Sequence, residues 1–90
     1  MGDDVPDTLE RMRNLGPILS GRLRTVGIAT PEELRRLGAV EAFVRLKRKF
    51  WGETTHAQLY ALHGAVTDVR WYALSEEARA ALRDAAGRRL

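Results

Sequence analysis

Residues 13–34 read RNLGPILSGRLRTVGIATPEEL, and this stretch decides the fold because it marks the beginning of two helices and the end of one. Gly16 is expected to supply the free backbone that the turn needs, and Pro17 after it predicts the beginning of the first helix. Proline fits the first helical position because its missing N–H has no partner in any helix. Apolar residues at helical spacing then predict a helix over about 17–26.

The second half of the same stretch predicts a turn and a second helix. Gly27 is typical of a left-handed helix stop, after which Ile28 can fold back onto the helix. Thr30 with Glu33 three residues later is typical of a capping box, and the helix that follows should span about 31–37. Two helices joined by glycine-marked turns indicate a helical hairpin.

The rest of the chain also has apolar residues at helical spacing and lacks strand-like alternation. We therefore expect an all-α, compact single domain of about five to six helices with a helix-hairpin-helix or SAM-like core. Residues 1–6 are expected to be a flexible acidic N-terminus, and residues 7–90 the domain. The first helix is predicted to be short, with Asp7 and Glu10 at capping spacing and its end near Arg13. The further helices are predicted as one over about 39–50, one from a cap at Thr54 or Thr55 to about 67, and one over about 76–88 capped by Ser75.

Packing predictions follow from the same patterns. The helix ending near 67 is the most apolar, so it is expected at the centre of the core, with Gly64 in a small-residue strip that admits another helix. The segment 68–74 is too short for a full helix and is expected to lay an aromatic plug against the core. The last helix should pack through its alanine-rich side, which comprises Ala78, Ala81, Leu82 and Ala85.

Charge is distributed unevenly along the chain, whose net charge is +3. Residues 1–10 hold four acids and no base, residues 11–49 hold ten bases against three acids, and residues 50–90 hold five of each. The positive charge therefore belongs to the segment with the hairpin, as nucleic-acid binding requires. A genome that favours arginine and alanine would produce the same bias.

Composition argues against several classes of protein. The chain has no cysteine, so disulfides and thiolate metal sites are excluded and a reducing compartment is favoured. No apolar run approaches the roughly 20 residues that cross a bilayer, so a cytoplasmic location without a membrane partner is expected. His56 and His63 are separated by roughly 10 Å of helix rise, too far to share one metal ion. We expect no enzyme, cofactor or metal site, since no nucleophile–histidine–acid or nucleotide motif is recognisable.

The hairpin is the candidate site, because backbone N–H groups near a helix N-terminus can hold a phosphate. Most short turns between helices bind nothing, so a purely structural turn is the alternative. The residues predicted to contact DNA phosphates are Arg13, Asn14, Gly16, Gly21, Arg22, Arg24 and Gly27.

A second basic run and three aromatic residues have two interpretations each. The basic run has two interpretations, a second DNA-contact patch or a solvated helix end whose cations interact favourably with the helix dipole; it comprises Lys47, Arg48 and Lys49. The interpretation as a solvated helix end is favoured. Trp51, Trp71 and Tyr72 either stack on the bases of a single strand or pack at the core, and core packing is favoured.

Several motifs together resemble the TfoX/Sxy C-terminal domain, nearly from end to end. They are NLGP at 14–17, VGI at 26–28, TPEEL at 30–34, LGAVEAFVRLK at 37–47, LYALHGAVTDVRW at 59–71 and Leu74. The resemblance implies a helical domain associated with bacterial regulators of natural competence, here expected to stand alone without the N-terminal domain that usually precedes it. One departure is that Asn14 stands where DNA-binding hairpins carry their first glycine.

The leading hypothesis is a non-enzymatic helical module of transcription or competence regulation. Its target is either a protein of the transcription machinery or the DNA backbone, and its oligomeric state stays open. Two alternatives are a non-specific DNA-binding helix-hairpin-helix protein unrelated to competence, and a small-molecule or metal-binding domain that rests only on His56 and His63.

Overall fold

The computed structural model describes residues 7–90, and every regular element in this range is helical. The prediction of an all-α fold is confirmed, whereas the expectation for residues 1–6 lies outside the described residues. The Cα radius of gyration is 12.3 Å, close to the roughly 12 Å expected for one compact domain of this length. The helices are α1 (Pro17–Thr25), α2 (Pro31–Leu37), α3 (Ala39–Lys49), α4 (His56–Thr67) and α5 (Glu76–Arg89), with 3-10 turns at Leu9–Arg11 and Trp71–Ala73.

The helix at the centre of the fold is α3, which packs against α1, α2, α4 and α5. Its consecutive residues Ala42, Phe43 and Val44 are all buried, so neighbours cover it on more than one side. The expectation that α4 holds this position is wrong, because α4 packs mainly on α3, α5 and the second 3-10 turn. The main contacts of α2 are with α3, whereas α1 packs equally on α3 and on the 3-10 turn Leu9–Arg11.

Helix ends that depend on neighbouring residues lie where the sequence predicts them. Gly27 has φ +86°, and the N–H of Ile28 donates to the carbonyl of Leu23 at 2.9 Å, so the left-handed stop of α1 is confirmed. Ile28 then folds back and is fully buried. The N–H of Ala78 donates to the Ser75 hydroxyl at 3.1 Å, which confirms the cap of α5.

The predicted first helix is wrong. It is only the 3-10 turn Leu9–Arg11, and its expected capping residues form ion pairs instead, Asp7 with Arg11 and Glu10 with Arg24. The predicted bounds of α4 are confirmed, with Thr55 as its N-cap, although the Thr55 side chain makes no capping hydrogen bond. The Thr54 hydroxyl donates to carbonyls at the end of α3.

The C-terminal third departs from the predicted packing in two ways. The aromatic plug is wrong, since the 3-10 turn Trp71–Ala73 contains no buried residue. The buried residues of α5 are Leu82 and Ala86, whereas Ala81 is exposed. Both errors arise because helical spacing shows which residues share a face but not how far a neighbouring element covers that face.

Candidate functional site

In the turn that leads into α1, the left-handed backbone conformation is adopted by Asn14 and not by Gly16. Asn14 occupies the left-handed region with φ +72°, as its tolerance of that region allows. Gly16 has φ −104° and ψ −178°, an extended conformation open to any residue, so the expectation that Gly16 supplies a special backbone conformation is wrong. A Cβ atom on Gly16 would meet nothing within 4 Å. Neither backbone conformation nor internal packing therefore requires glycine at position 16.

The beginning of α1 is open to solvent. Gly16 is the N-cap and Pro17 the first helical residue, and the first turn holds no acid. Within residues 7–90, no side chain accepts a hydrogen bond from the backbone N–H groups of this turn. The N–H groups of Ile18 and Leu19 have no partner inside the helix, as in any first turn. Since Gly16 is exposed and the Ile18 side chain is 70% exposed, an external anion could approach these donors.

The Asn14 side chain braces this turn against α4 and the segment that follows α4. Its Nδ2 donates to the Val69 carbonyl at 2.8 Å and to the Ala61 carbonyl at 3.4 Å, and its Oδ1 accepts from the Trp71 N–H at 3.2 Å. A Cβ on Gly64 would overlap Nδ2 of Asn14 and the Val69 carbonyl oxygen. The close approach predicted at Gly64 is thus made by a side chain and a loop, and not by a helix.

Two of the predicted arginines are held in ion pairs with other parts of the chain. Arg13 Nε lies 3.0 Å from Asp68 Oδ1, beside the same brace. Arg24 donates both terminal nitrogens to the Glu10 carboxylate, at 2.5 and 2.6 Å, and lowers the pKa of Glu10 to about 2. The Arg24 pair lies at the far end of α1, so only Arg13 accompanies the open helix start.

Arg22, Gly21 and Gly27 also lie away from the beginning of α1. The Arg22 guanidinium stands 5.2 Å from the centroid of the Phe50 ring, which brings it to the C-terminal end of α3. Gly21 is inside α1, where an added Cβ atom would meet nothing within 4 Å, and Gly27 ends the helix. The structure therefore brings Arg13, Asn14 and Gly16 together and separates the other predicted residues from them.

The second basic run lies at the end of α3, where Lys47 has a structural role. Its Nζ donates to the carbonyls of Thr54 at 2.9 Å and Trp51 at 3.2 Å and stands 4.5 Å from the Trp51 ring centroid. Arg48 donates to the carbonyl of Arg89 at 3.4 Å, so the C-terminal end of α5 is adjacent. Lys49 is exposed.

The three aromatic residues expected at the core are exposed instead. The exposed fractions are 66% for Trp51, 61% for Tyr72 and 41% for Trp71. Trp51 follows the end of α3, and the other two belong to the 3-10 turn, where no helix covers them. Their aromatic character alone favours burial, and exposure becomes evident only when the neighbouring helices are placed.

Residues 7–90 contain no cluster of three or more histidine, aspartate or glutamate residues that could hold a metal ion. Within the same range, no helix combines the length and apolar character needed to span a bilayer.

Comparisons with known proteins identify one family and solved structures that are similar to this chain. The family of the TfoX C-terminal domain matches over residues 5–86. An uncharacterised protein from Listeria monocytogenes, crystallised in a triclinic form, is 37% identical with a TM-score of 0.79, covering 84% of this chain and 85% of that one. A protein of unknown function from the same organism, in a tetragonal form, is 35% identical with a TM-score of 0.81, covering 89% and 98% respectively. No curated protein matches the sequence.

Proposed function

We infer the function of this protein from its family: the chain belongs to the TfoX C-terminal domain family. The family is associated with regulators of natural competence. We propose that this protein is a non-enzymatic module of transcription or competence regulation that works by macromolecular contact. Its contact is with the DNA backbone, made by the open beginning of α1.

The observation that carries this proposal is Gly16. Neither its backbone conformation nor its surroundings exclude a side chain. Because Gly16 is the N-cap, a polar side chain at this position could bond the free N–H groups of the first turn of α1. Glycine allows a ligand to approach the backbone closely. A phosphate group would accept hydrogen bonds from these N–H groups and gain from the positive end of the helix dipole.

Contact of this kind reads phosphates and not bases, so it is non-specific in sequence. We expect a Kd of about 10⁻⁴ to 10⁻⁶ M for duplex DNA, with log K falling against log salt at a slope of about −2 to −4 for two to four phosphates. Arg13 supports the contact from beside the turn, although its ion pair with Asp68 reduces its share.

The experiment is a titration of labelled duplex DNA, followed by fluorescence anisotropy at two salt concentrations. Gly16→Asp supplies an N-cap carboxylate that occupies the N–H groups and repels phosphate. We expect it to stabilise the protein slightly while it abolishes DNA binding. Gly16→Ser is the matched control, because it caps the helix without charge and should weaken binding less. Unchanged binding by Gly16→Asp, or binding insensitive to salt, would contradict the proposal.

A second candidate is a protein of the transcription machinery, favoured by the exposed apolar side chains of Val69, Trp71 and Tyr72. Exposed apolar patches on a small domain often mark protein interfaces. The test is titration of labelled domain with bacterial RNA polymerase. Tyr72→Ser should then weaken the complex, whereas Gly16→Asp should leave it intact. Absence of polymerase binding would remove this candidate.

A further inference from the structure

Trp51 is the most exposed aromatic side chain among residues 7–90, with 66% of its surface accessible. It lies two residues beyond the end of α3, at the start of the loop to α4. A large apolar surface in water is unfavourable, at about 25 cal/mol per Å² relative to burial. Lys47 Nζ stands over the ring at 4.5 Å from its centroid, and the remaining indole surface is open to solvent.

The loop that carries Trp51 is held firmly in place. The buried Thr54 donates its hydroxyl to the carbonyls of Leu46 at 3.2 Å and Phe50 at 2.7 Å. The N–H of Glu53 donates to the Phe50 carbonyl at 3.1 Å. Lys47 closes the loop from the other side through the carbonyls of Trp51 and Thr54. A loop bonded at both ends presents Trp51 in a defined position.

The surroundings of Trp51 are positively charged. Residues 47–54 contain three bases and one acid, Glu53. Arg22 reaches the same end of α3 from α1, where its guanidinium stands 5.2 Å from the centre of the Phe50 ring. The Arg48 contact with the backbone of Arg89 adds the basic end of α5. An anionic ligand is therefore favoured over a neutral or basic partner.

We propose that Trp51 with Arg22, Arg48 and Lys49 forms a platform for single-stranded nucleic acid. An unpaired base stacks on the exposed indole, and the neighbouring phosphates interact with the three cations. A duplex keeps its bases inside the helix and offers Trp51 none of them. The platform is separate from the open beginning of α1, so this inference stands independently of the proposed duplex contact.

The experiment uses the two tryptophans of the chain as reporters. In the Trp71→Phe variant only Trp51 fluoresces, and titration with a thymidine oligonucleotide of about 12 nucleotides should quench it, because the base stacks on the ring. The matched control is Trp51→Phe, in which Trp71 alone reports and should change little. Quenching confined to Trp71, or no quenching of Trp51 at low salt, would overturn the proposal.

A second measurement separates stacking from general charge attraction. Trp51→Ala should lower the affinity for the oligonucleotide about tenfold and leave duplex binding unchanged. The melting temperature should fall only slightly, since the side chain is exposed and the alanine removes only its contact with Lys47. Lys49→Gln should instead reduce the salt dependence of oligonucleotide binding. Equal affinities for Trp51→Ala and the unmodified protein would overturn the proposal.

A basic surface with an exposed tryptophan also suits an anionic lipid surface, and a third titration distinguishes this source of phosphate. Vesicles of phosphatidylglycerol are added to the Trp71→Phe variant under the same conditions. We expect no blue shift of the Trp51 emission. A blue shift with vesicles and no quenching with the oligonucleotide would assign the platform to lipid and overturn the nucleic-acid proposal.

Discussion

The beginnings of α1 and α2 carry the same sequence signal, a proline at the first helical position, but they form different surfaces. At α2, the Thr30 hydroxyl accepts from the Glu33 N–H at 3.1 Å, and the Glu33 carboxylate accepts from Thr30 and Ala29. Side chains of the same segment thus accept hydrogen bonds from the backbone N–H groups at the beginning of α2. At α1 no side chain caps the first turn, and Asn14 braces the turn through residues about fifty positions away.

This difference shows how the same helix start can be structural in one place and available to a ligand in another. A carboxylate, that of Glu33, already stands at the beginning of α2, and its hydrogen bonds from Ala29 and Thr30 lower the pKa of Glu33. The start of α1 has no such group and depends on tertiary contacts for its shape. Substitutions can perturb the beginning of α1 and the beginning of α2 separately.

The largest effect is expected from Gly64→Ala, which attacks the brace of the α1 turn. The new methyl group would overlap Nδ2 of Asn14 and the Val69 carbonyl, so we expect a loss of about 3 kcal/mol in the free energy of unfolding. Gly21→Ala is the matched control in α1, where a Cβ meets no atom and helix propensity should add up to about 1 kcal/mol. Urea denaturation measures both. Equal effects of the two alanines would show that Gly64 has no packing role.

A smaller loss is expected from Asn14→Ala, at about 2 kcal/mol, because it removes three hydrogen bonds and puts alanine in a left-handed conformation. Asn14→Gly separates the two causes, since glycine accepts the positive φ and loses only the hydrogen bonds. Its loss should be about 1 kcal/mol. If both variants unfold at the same urea concentration, backbone strain at position 14 contributes nothing.

Thr30→Ala should cost about 1 kcal/mol, the usual value for an N-cap side chain. Its effect is local, so duplex DNA binding should match that of the unmodified protein once folding is confirmed by circular dichroism. Loss of DNA binding in this variant would mean that the start of α2, and not that of α1, contacts the phosphates.

The smallest effect is expected from pH at the start of α2. Because folding lowers the pKa of Glu33, its carboxylate contributes stability above its ordinary pKa near 4.5, and this contribution is lost as the pH falls through the folded value. Glu33→Gln keeps a hydrogen-bond acceptor without a titrating group. Melting temperatures measured from pH 6 downward should therefore fall less steeply for this variant. Parallel curves would exclude Glu33 as a source of acid sensitivity.

The predictions from sequence succeed where a few neighbouring residues determine the structure. The bounds of α2, the stop at Gly27 and the cap at Ser75 all depend on residues within about five positions of each other. They fail at Glu10, which has capping spacing but pairs with Arg24. The pairing joins residues 14 positions apart, and no local pattern indicates it.

For the candidate sites too, local sequence patterns do not indicate contacts between residues far apart in the chain. The sequence points to the turn at Asn14 and Gly16 and to the basic run 47–49, but it assigns Arg22 to the turn, whereas the structure places Arg22 on Phe50. The exposure of Trp51, Trp71 and Tyr72 is also missed, because aromatic residues are usually buried.

By itself, the sequence determined the positive charge of residues 11–49. It also determined the all-α fold and the bounds of most helices, since hydrogen bonds and caps within a helix span only a few residues. Only the tertiary structure decided which helix is central, which side chains brace the turn at Asn14 and which aromatic residues face water. These depend on contacts between segments far apart in the chain, whose geometry exists only when the other helices have packed around α3.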